Sequence, residues 1–526
     1  MLLLPDGTVM AANSYTTAGG YGNAWYQLTP DIHGSYVNGN WGSLASANSS
    51  RLWFSAAVLQ NGQVFVAGGE YGTGANKSEI FNPQTGLWTP VAVPSGLINT
   101  NLNSNGGNGG FSDSMCTVLP NGTVMVAPVY PAIGNTTLIY DPYANTWSQG
   151  PTYKNSQNEA SWVKLRDESI LTVDKSSLLS ERFIPSLNQW FPDGNLPVNL
   201  YGAGSETGAG FLLPDGRAFF LGGSGQTALY SPSPLGGTNA GNWVAGPVIP
   251  GNLATPDAAA AMMANGKILC AVSPLGTAGN PFPTNTSFYE YDYSVGAIGA
   301  FNSVSGPTGP FDNLPTYKTL MLTLPDGNVL YSHFGTNLYV YQPGGSPLLA
   351  GKPAVGSVTW NGNGSLHLTG TLFNGISQGA AYGDDAQMDS NFPLVRFTDG
   401  SGNVSYGRTV FWSSTGVQTG NQVVTTECAL SSAVAYGPGA YTMQVVANGI
   451  ASDPVGLSGP VWVDFNFGGS PQNGTYSNPY HLLSQGTNVV AAGAEIFIKT
   501  GLSHETMTIT KPMTMVAIGG PVTIGH

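Results

Sequence analysis

The chain has 526 residues, of which 73 are Gly and 37 are Pro, and only 8% are charged, against about a quarter in an ordinary soluble domain. With 15 basic and 28 acidic residues, the formal charge is −13, which repels phosphate backbones and argues against nucleic acid as a partner. The composition excludes a coiled coil, and with 41% hydrophobic and 11% aromatic residues it excludes a charge-rich disordered chain.

The chain opens on Met1-Leu-Leu-Leu-Pro-Asp-Gly, which reads as a strand entering a turn and not as a secretory signal. The same pattern of apolar strand, Asx-Gly turn and second apolar strand then recurs. Its copies are LLLPDGTVMAA from Leu2, AAVLQNGQVFVAGG from Ala56, CTVLPNGTVMVAP from Cys116, VKLRDESILTVD from Val163, GFLLPDGRAFFLGG from Gly210, AMMANGKILCAV from Ala261 and LMLTLPDGNVLYS from Leu320. The turn residues Asp6, Asn61, Asn121, Asp167, Asp215, Asn265 and Asp326 are roughly 46 to 61 residues apart, which brackets the length of a kelch propeller blade. Asn-Gly and Asp-Gly accept the positive φ that a tight hairpin demands. Several copies continue through a third strand to a Trp: Trp88, Trp147, Trp190 and Trp243, with Trp41 in a looser first copy. A Trp at a repeated place predicts a packing wedge between blades. The pattern predicts an all-β kelch-type β-propeller over residues 1–347, with six or seven blades.

From about Gly351 to Gly459 short strands recur at the spacing of an immunoglobulin-like β-sandwich. After Pro460 very short strands at about ten-residue steps (AEIFIKTG, ETMTITKP, MTMVAIGGPVTIG) read as the first coils of a parallel β-helix, expected to continue beyond His526. His504-Glu505 and Lys511-Pro512 read there as turn residues. No run of eighteen apolar residues predicts a membrane span. Cys116, Cys270 and Cys428 are too few and scattered for a disulfide framework or a zinc site and read as buried small hydrophobes. A surface of Asn, Ser, Thr and Gly suits an extracellular or cell-surface protein.

The Gly-Gly strand ends in GQVFVAGGE and GRAFFLGGSG, followed by the sandwich segment GISQGAAYGDDAQMDSNFPLVRF, resemble the galactose oxidase-like proteins with their early-set domain. The resemblance covers about residues 1–460. It implies one copper held by two Tyr and two His, one Tyr being cross-linked to a Cys, on loops eight or nine residues before the blade turns. Here those positions hold Tyr317-Lys318 before Asp326 and Trp53 before Asn61, and Tyr71 corresponds loosely to the family's stacking Trp. The partner Cys falls before Met1. The resemblance places a His from the sandwich between Arg396 and Arg408, where none stands. None of His33, His333, His367, His481, His504 or His526 matches a ligand place. An ammonium and an indole offer no lone pair to a cation, which argues against copper; a copper radical oxidase of the galactose oxidase type is kept as an alternative to a binding role without oxidase activity.

At the same offset the middle blades carry Asp113, Glu159, Glu206 and Asp257. In a chain with 28 acidic residues, four carboxylates in register across four blades predict a ring at the propeller mouth, joined by Trp53, Tyr317 and Lys318. Like charges so placed need a cation, donors or raised pKa values. The ring could bind a sugar, with Trp53 or Tyr317 stacking on it. It could hold Ca²⁺ through oxygen ligands, or supply an acid and a base for hydrolase or lyase chemistry. Alternatively, each carboxylate only caps backbone amides of its loop. The expected partner is carbohydrate or a cell-surface molecule. Asp384-Asp385 and Asp389 form a further acidic cluster, read as a solvated turn.

Overall fold

In all seven predicted turns the Asx side chain accepts the backbone N–H two residues on: Thr8, Gln63, Thr123, Ser169, Arg217, Lys267 and Asn328 are the donors. The residue after each Asx has positive φ, between +64° and +90°. It is Gly in six turns and Glu168 in the fourth. Side chain and backbone therefore specify each hairpin together.

The computed structural model describes residues 1–15, 20–71, 73–98, 110–129, 131–309, 311–383, 388–430 and 440–525. The turns organise seven consecutive antiparallel sheets, spanning residues 2–44, 55–91, 116–152, 163–192, 210–245, 253–304 and 320–341 and numbered here as blades 1 to 7. Blades 1 to 5 have four strands, blade 6 five and blade 7 three. In blade 2 the first two strands, Ser55–Val58 and Val64–Ala67, are buried at every position, whereas the fourth, Leu87–Val91, is mostly exposed. Strand order thus runs from axis to rim. The hydrophobic core is a series of clusters between neighbours: blades 1 and 2, 2 and 3, 3 and 4, 4 and 5. One further cluster joins blades 5, 6 and 7 to Leu3, Val9 and Leu28 of blade 1 and closes the ring. The blade number is seven.

The Trp wedges form at four of five places. Trp88 packs on Trp25 of the preceding blade and Trp147 on Phe65, with ring centroids 5.1 and 5.9 Å apart. Trp190 and Trp243 are buried in the clusters shared with the preceding blade. Trp41 is the exception: it is 42% exposed, on the outer strand Asn40–Leu44 of blade 1, whose preceding neighbour in the ring, blade 7, has three strands. Connections between blades are held by buried carboxylates. Glu79 accepts the amides of Asn48 and Ser49 and pairs with Arg51 at 2.7 Å; Glu181, on the matching strand of blade 4, accepts those of Lys154 and Asn155.

From Ala354 to Ser458 an eight-stranded sheet folds over one core, in which Leu366, Leu368, Val424 and Cys428 meet Val395, Phe397, Met443 and Val445. It packs beneath the blade turns. A Cβ on Gly7 would overlap the Tyr406 ring, and one on Gly62 would crowd Arg408 and Val410. The segment between Arg396 and Arg408 therefore lies under the propeller, not in its channel. Another segment enters: strands Gly379–Ala380 and Met388–Asp389 pair as a finger. Asn448 bonds Ile376, Ser377 and Ser390 and holds the two legs together at its base. The finger lies against inner strands of blades 5 and 6 on one side and of blades 1 and 7 on the other. Gly210 of blade 5 exchanges two backbone hydrogen bonds, 2.9 and 3.2 Å, with Ala381.

The last segment stacks Val461–Val463, Glu495–Ser503 and Thr514–Ile524 as parallel strands with the helix Leu483–Val489 packed against them. Glu505 and Lys511 are not simple turn residues. Glu505 accepts the first amides of the helix, and the Lys511 ammonium donates to the carbonyls of Thr487, Asn488 and Val490 at its end. Both charges oppose the helix dipole. The three cysteines are buried free thiols. Among the described residues no helix is long and apolar enough to cross a membrane.

The contrast between wedges is testable. Trp190, 5% exposed between blades 3 and 4, should cost about 3–5 kcal/mol of unfolding free energy when changed to Ala. Trp41→Ala should stay within about 0.5 kcal/mol. Chemical denaturation of the two variants checks this, and equal losses would contradict the wedge assignment.

Candidate functional site

The loops leading into the inner strands form arches at one end of the ring. Eight residues before the turn, Trp53, Asp113, Glu159 and Asp257 all have positive φ, +44° to +54°. In blade 5 the same conformation falls on Ser205, next to Glu206. Each such non-glycine residue costs about 1–3 kcal/mol of local strain. Arch-to-arch bonds hold the conformation: the Glu159 amide donates to the Asp113 carbonyl and the Asp257 amide to the Thr207 carbonyl. The Ser161 hydroxyl donates to Gly208, and the Thr316 hydroxyl to Pro256. Blade 7 departs from the pattern, with Tyr317 and Lys318 in the short 3-10 turn Thr316–Lys318.

Four arches thus deliver carboxylates to one mouth, where they form two groups. Asp113 and Glu159 are joined by Glu70, and one oxygen of each lies within 4.8 Å of the other two. Glu159 is only 6% exposed. Asp113 also accepts from the Asn158 amide. Glu206 and Asp257 form the second group, bridged by a residue the register did not reveal. Tyr382, fully buried on the finger, has its hydroxyl 3.0 Å from Glu206 Oε2 and 2.6 Å from Asp257 Oδ1.

A phenol has one proton and can donate to only one of these carboxyls. The other contact is a hydrogen bond only if that carboxyl is itself protonated and donates to the phenol oxygen. The pair is thus placed to share a proton. The electrostatics agree: burial and the Glu206 charge hold Asp257 well above the usual carboxylate range. Burial also raises Glu206, with Asp113 adding to the effect and Lys175 opposing it. Burial and the Asp257, Glu206 and Glu159 charges push the Tyr382 phenol upward as well.

Beside the carboxylates stands an aromatic wall. Trp53 packs against Tyr71, Tyr317 and Phe334 at 5.8–5.9 Å between centroids, and Tyr317 meets Phe282 edge-on at 5.5 Å. The Lys318 ammonium lies 5.7 Å from the Tyr317 centroid. Tyr71 is 60% exposed. Burial, then the Asp257 charge, raises the Tyr317 phenol, which ties the wall electrostatically to the second carboxylate group.

All seven predicted residues lie on the arches around this mouth. Sequence register missed Glu70, Lys175, Phe282, Phe334 and Tyr382. Glu70, Lys175 and Phe334 follow the ends of second strands, a loop set at the same end of the ring as the first-strand arches, so reading both sets would have found them. Tyr382 stands in Ala-Ala-Tyr-Gly, small residues that allow close approach: the Gly383 amide donates to Ala160, and a Cβ there would strike the Glu159 carboxylate. Asp384 and Asp385 lie outside the described residues; the Asp389 backbone pairs with Gly379 in the finger.

At the places where the resemblance expects copper ligands stand Tyr317, Trp53 and Lys318, and an indole and an ammonium offer a cation no lone pair. The Tyr382 hydroxyl lies within hydrogen-bond distance of two carboxyls. His333 faces Asp312 at 3.3 Å and His367 pairs with Glu427 in the eight-stranded sheet. The Glu70, Asp113 and Glu159 oxygens are instead the ligand type of a hard cation.

No family model matches the chain, and no curated protein matches it in sequence. Among solved structures it is similar to a fungal alcohol oxidase of the AA5 family in complex with copper, at 15% identity over 87% of this chain and 96% of that one, with a TM-score of 0.49. It is also similar to YjhT, at 14% identity over 57% of this chain and 95% of that one, with a TM-score of 0.37. The architecture is a closed seven-bladed β-propeller.

The shared proton has a pH signature. Glu206 and Asp257 bind protons more tightly folded than unfolded, so their contribution to stability is fully present below the usual carboxylate range, about pH 4. It is lost as pH rises through the raised folded values. Asp257→Asn keeps a neutral partner for Tyr382 at every pH. Its melting temperature relative to wild type should therefore climb between about pH 5 and about pH 8; a flat or falling difference would rule out the shared proton.

Proposed function

We propose that the propeller mouth binds a polyhydroxylated ligand, a saccharide, on an extracellular or cell-surface protein. The observation that carries this reading is the aromatic wall of Trp53 and Tyr317 standing beside carboxylates at one mouth. Sugar rings present apolar faces to aromatic rings and hydroxyl donors to carboxylates, and such sites combine a stacking surface with a few placed polar groups. The same reading divides the chain into a propeller (1–347), an early-set immunoglobulin-like sandwich (351–459) and the beginning of a β-helix-like region (460–526).

Glycan-array screening followed by calorimetry tests the assignment. Trp53→Ala and Tyr317→Ala should each lower affinity for the bound glycan by about 10-fold or more, as loss of a stacking anchor does. Unchanged binding in the double variant, or no binding by the intact protein, would overturn it.

The proton-sharing pair favours a second reading, carboxylate-dependent cleavage of a glycosidic bond, because an acid and a base then stand in one site. Release of reducing ends by the wild type but not by Asp257→Asn would support it, and absence of turnover on any glycan the array identifies would dismiss it.

A further inference from the structure

Building on a saccharide at the mouth, we propose that its ligand carries a protonated amine, as an amino sugar does, seated against Trp53 and Tyr71 and bonded by Glu70, Asp113 and Glu159. If the saccharide reading fails, this inference fails with it; the reverse does not hold.

Three features of the mouth converge on an ammonium. The first is the aromatic wall itself. Trp53 and Tyr71 stand 5.9 Å apart at 61°, with Phe334 tilted against the other side of Trp53, and Tyr71 is open to solvent. Indole and phenol faces attract a weakly hydrated organic cation. Ca²⁺ instead seeks six to eight oxygens.

The second is charge complementarity at the edge of that wall. Glu70 donates its amide to the carbonyl of Leu52, the neighbour of Trp53, and Glu159 donates its amide to Asp113, so wall and carboxylates adjoin through the backbone. The three carboxylate oxygens lie within 4.8 Å of one another. Three acceptors at about 2.8 Å from one tetrahedral nitrogen lie about 4.6 Å apart. An alkylammonium has three N–H donors, so donors and acceptors match in number, and the group is compact enough for one nitrogen to reach all three.

The third is the field of the whole mouth. Five carboxyl groups gather there, Glu70, Asp113, Glu159, Glu206 and Asp257, against two lysines: Lys175, whose charge acts on Glu206, and Lys318 over Tyr317. Even with one proton held by the Glu206–Asp257 pair, acidic groups outnumber basic ones. Such a mouth attracts a cation and repels uronates and other acidic sugars.

Acetylation of the amine removes its charge and two of its N–H donors while leaving the sugar ring intact, and this provides the test. Calorimetry on the full chain would compare chito-oligosaccharides of one length in free-amine and N-acetylated forms, a glucose oligomer, and calcium chloride alone. The free-amine oligomer should bind at least tenfold tighter than the acetylated one. That preference should weaken with added salt and disappear in Glu70→Gln, whose side chain stands at the rim; a melting curve confirms that the variant is folded. Equal affinity for the two forms overturns the amine while leaving the saccharide intact. Failure of every oligomer to bind overturns both. Calcium binding that Glu70→Gln abolishes, without discrimination between the sugars, assigns the three carboxylates to a hard cation and overturns the proposal.

Discussion

A ring of seven sheets leaves a channel on its axis, and the inner strands lining it present apolar side chains and backbone groups that have to be covered. In this chain a finger from the following β-rich unit covers them. Its two short strands pair with each other, and Ala381 adds a two-bond ladder to blade 5. The finger can enter because the eight-stranded sheet sits directly under the blade turns, where Gly7 and Gly62 bring backbone against Tyr406, Arg408 and Val410. Asn448 then fixes the angle at which the two legs rise. Propeller and eight-stranded sheet thus pack together, and the arrangement at the far end of the channel depends on that insertion.

At the mouth the insertion has an electrostatic consequence. The arches already crowd carboxylates together on strained backbone. Tyr382 adds a single hydroxyl between Glu206 and Asp257, which two ionised carboxylates could not both use. The outcome is a carboxyl pair raised by burial and bridged by Tyr382 at one side, and the compact group of Glu70, Asp113 and Glu159 at the other.

Several features were legible in the residues because their causes are local. The Asx residues marked all seven hairpins, six of them followed by Gly, since one side chain and one positive φ make the turn. Glu168, which replaces Gly in the fourth copy, adopts the same positive φ beside the Asp167 bond. Trp88, Trp147, Trp190 and Trp243 were recognisable as wedges by their repeated place. Trp41 shares that place but not the burial, because a wedge needs a partner sheet that no single repeat reveals. Lys511 and Glu505 looked like turn residues because the helix they clamp, Leu483–Val489, follows a stretch of Gly, Pro and Asn with weak periodicity.

The sequence by itself determined the ring, its blade register and the common level of Asp113, Glu159, Glu206 and Asp257, because each depends on a fixed offset within one repeat. Tertiary structure alone decided how those four divide. Tyr382 is 125 residues from Asp257 and 176 from Glu206 in the chain, and Glu70 joins the mouth from a different loop of its blade. No periodicity relates such positions; they meet only because a separate unit docks beneath the ring and sends its finger through it. Scarcity of charge pointed to where the carboxylates gather, and the fold decided which two of them are buried against Tyr382.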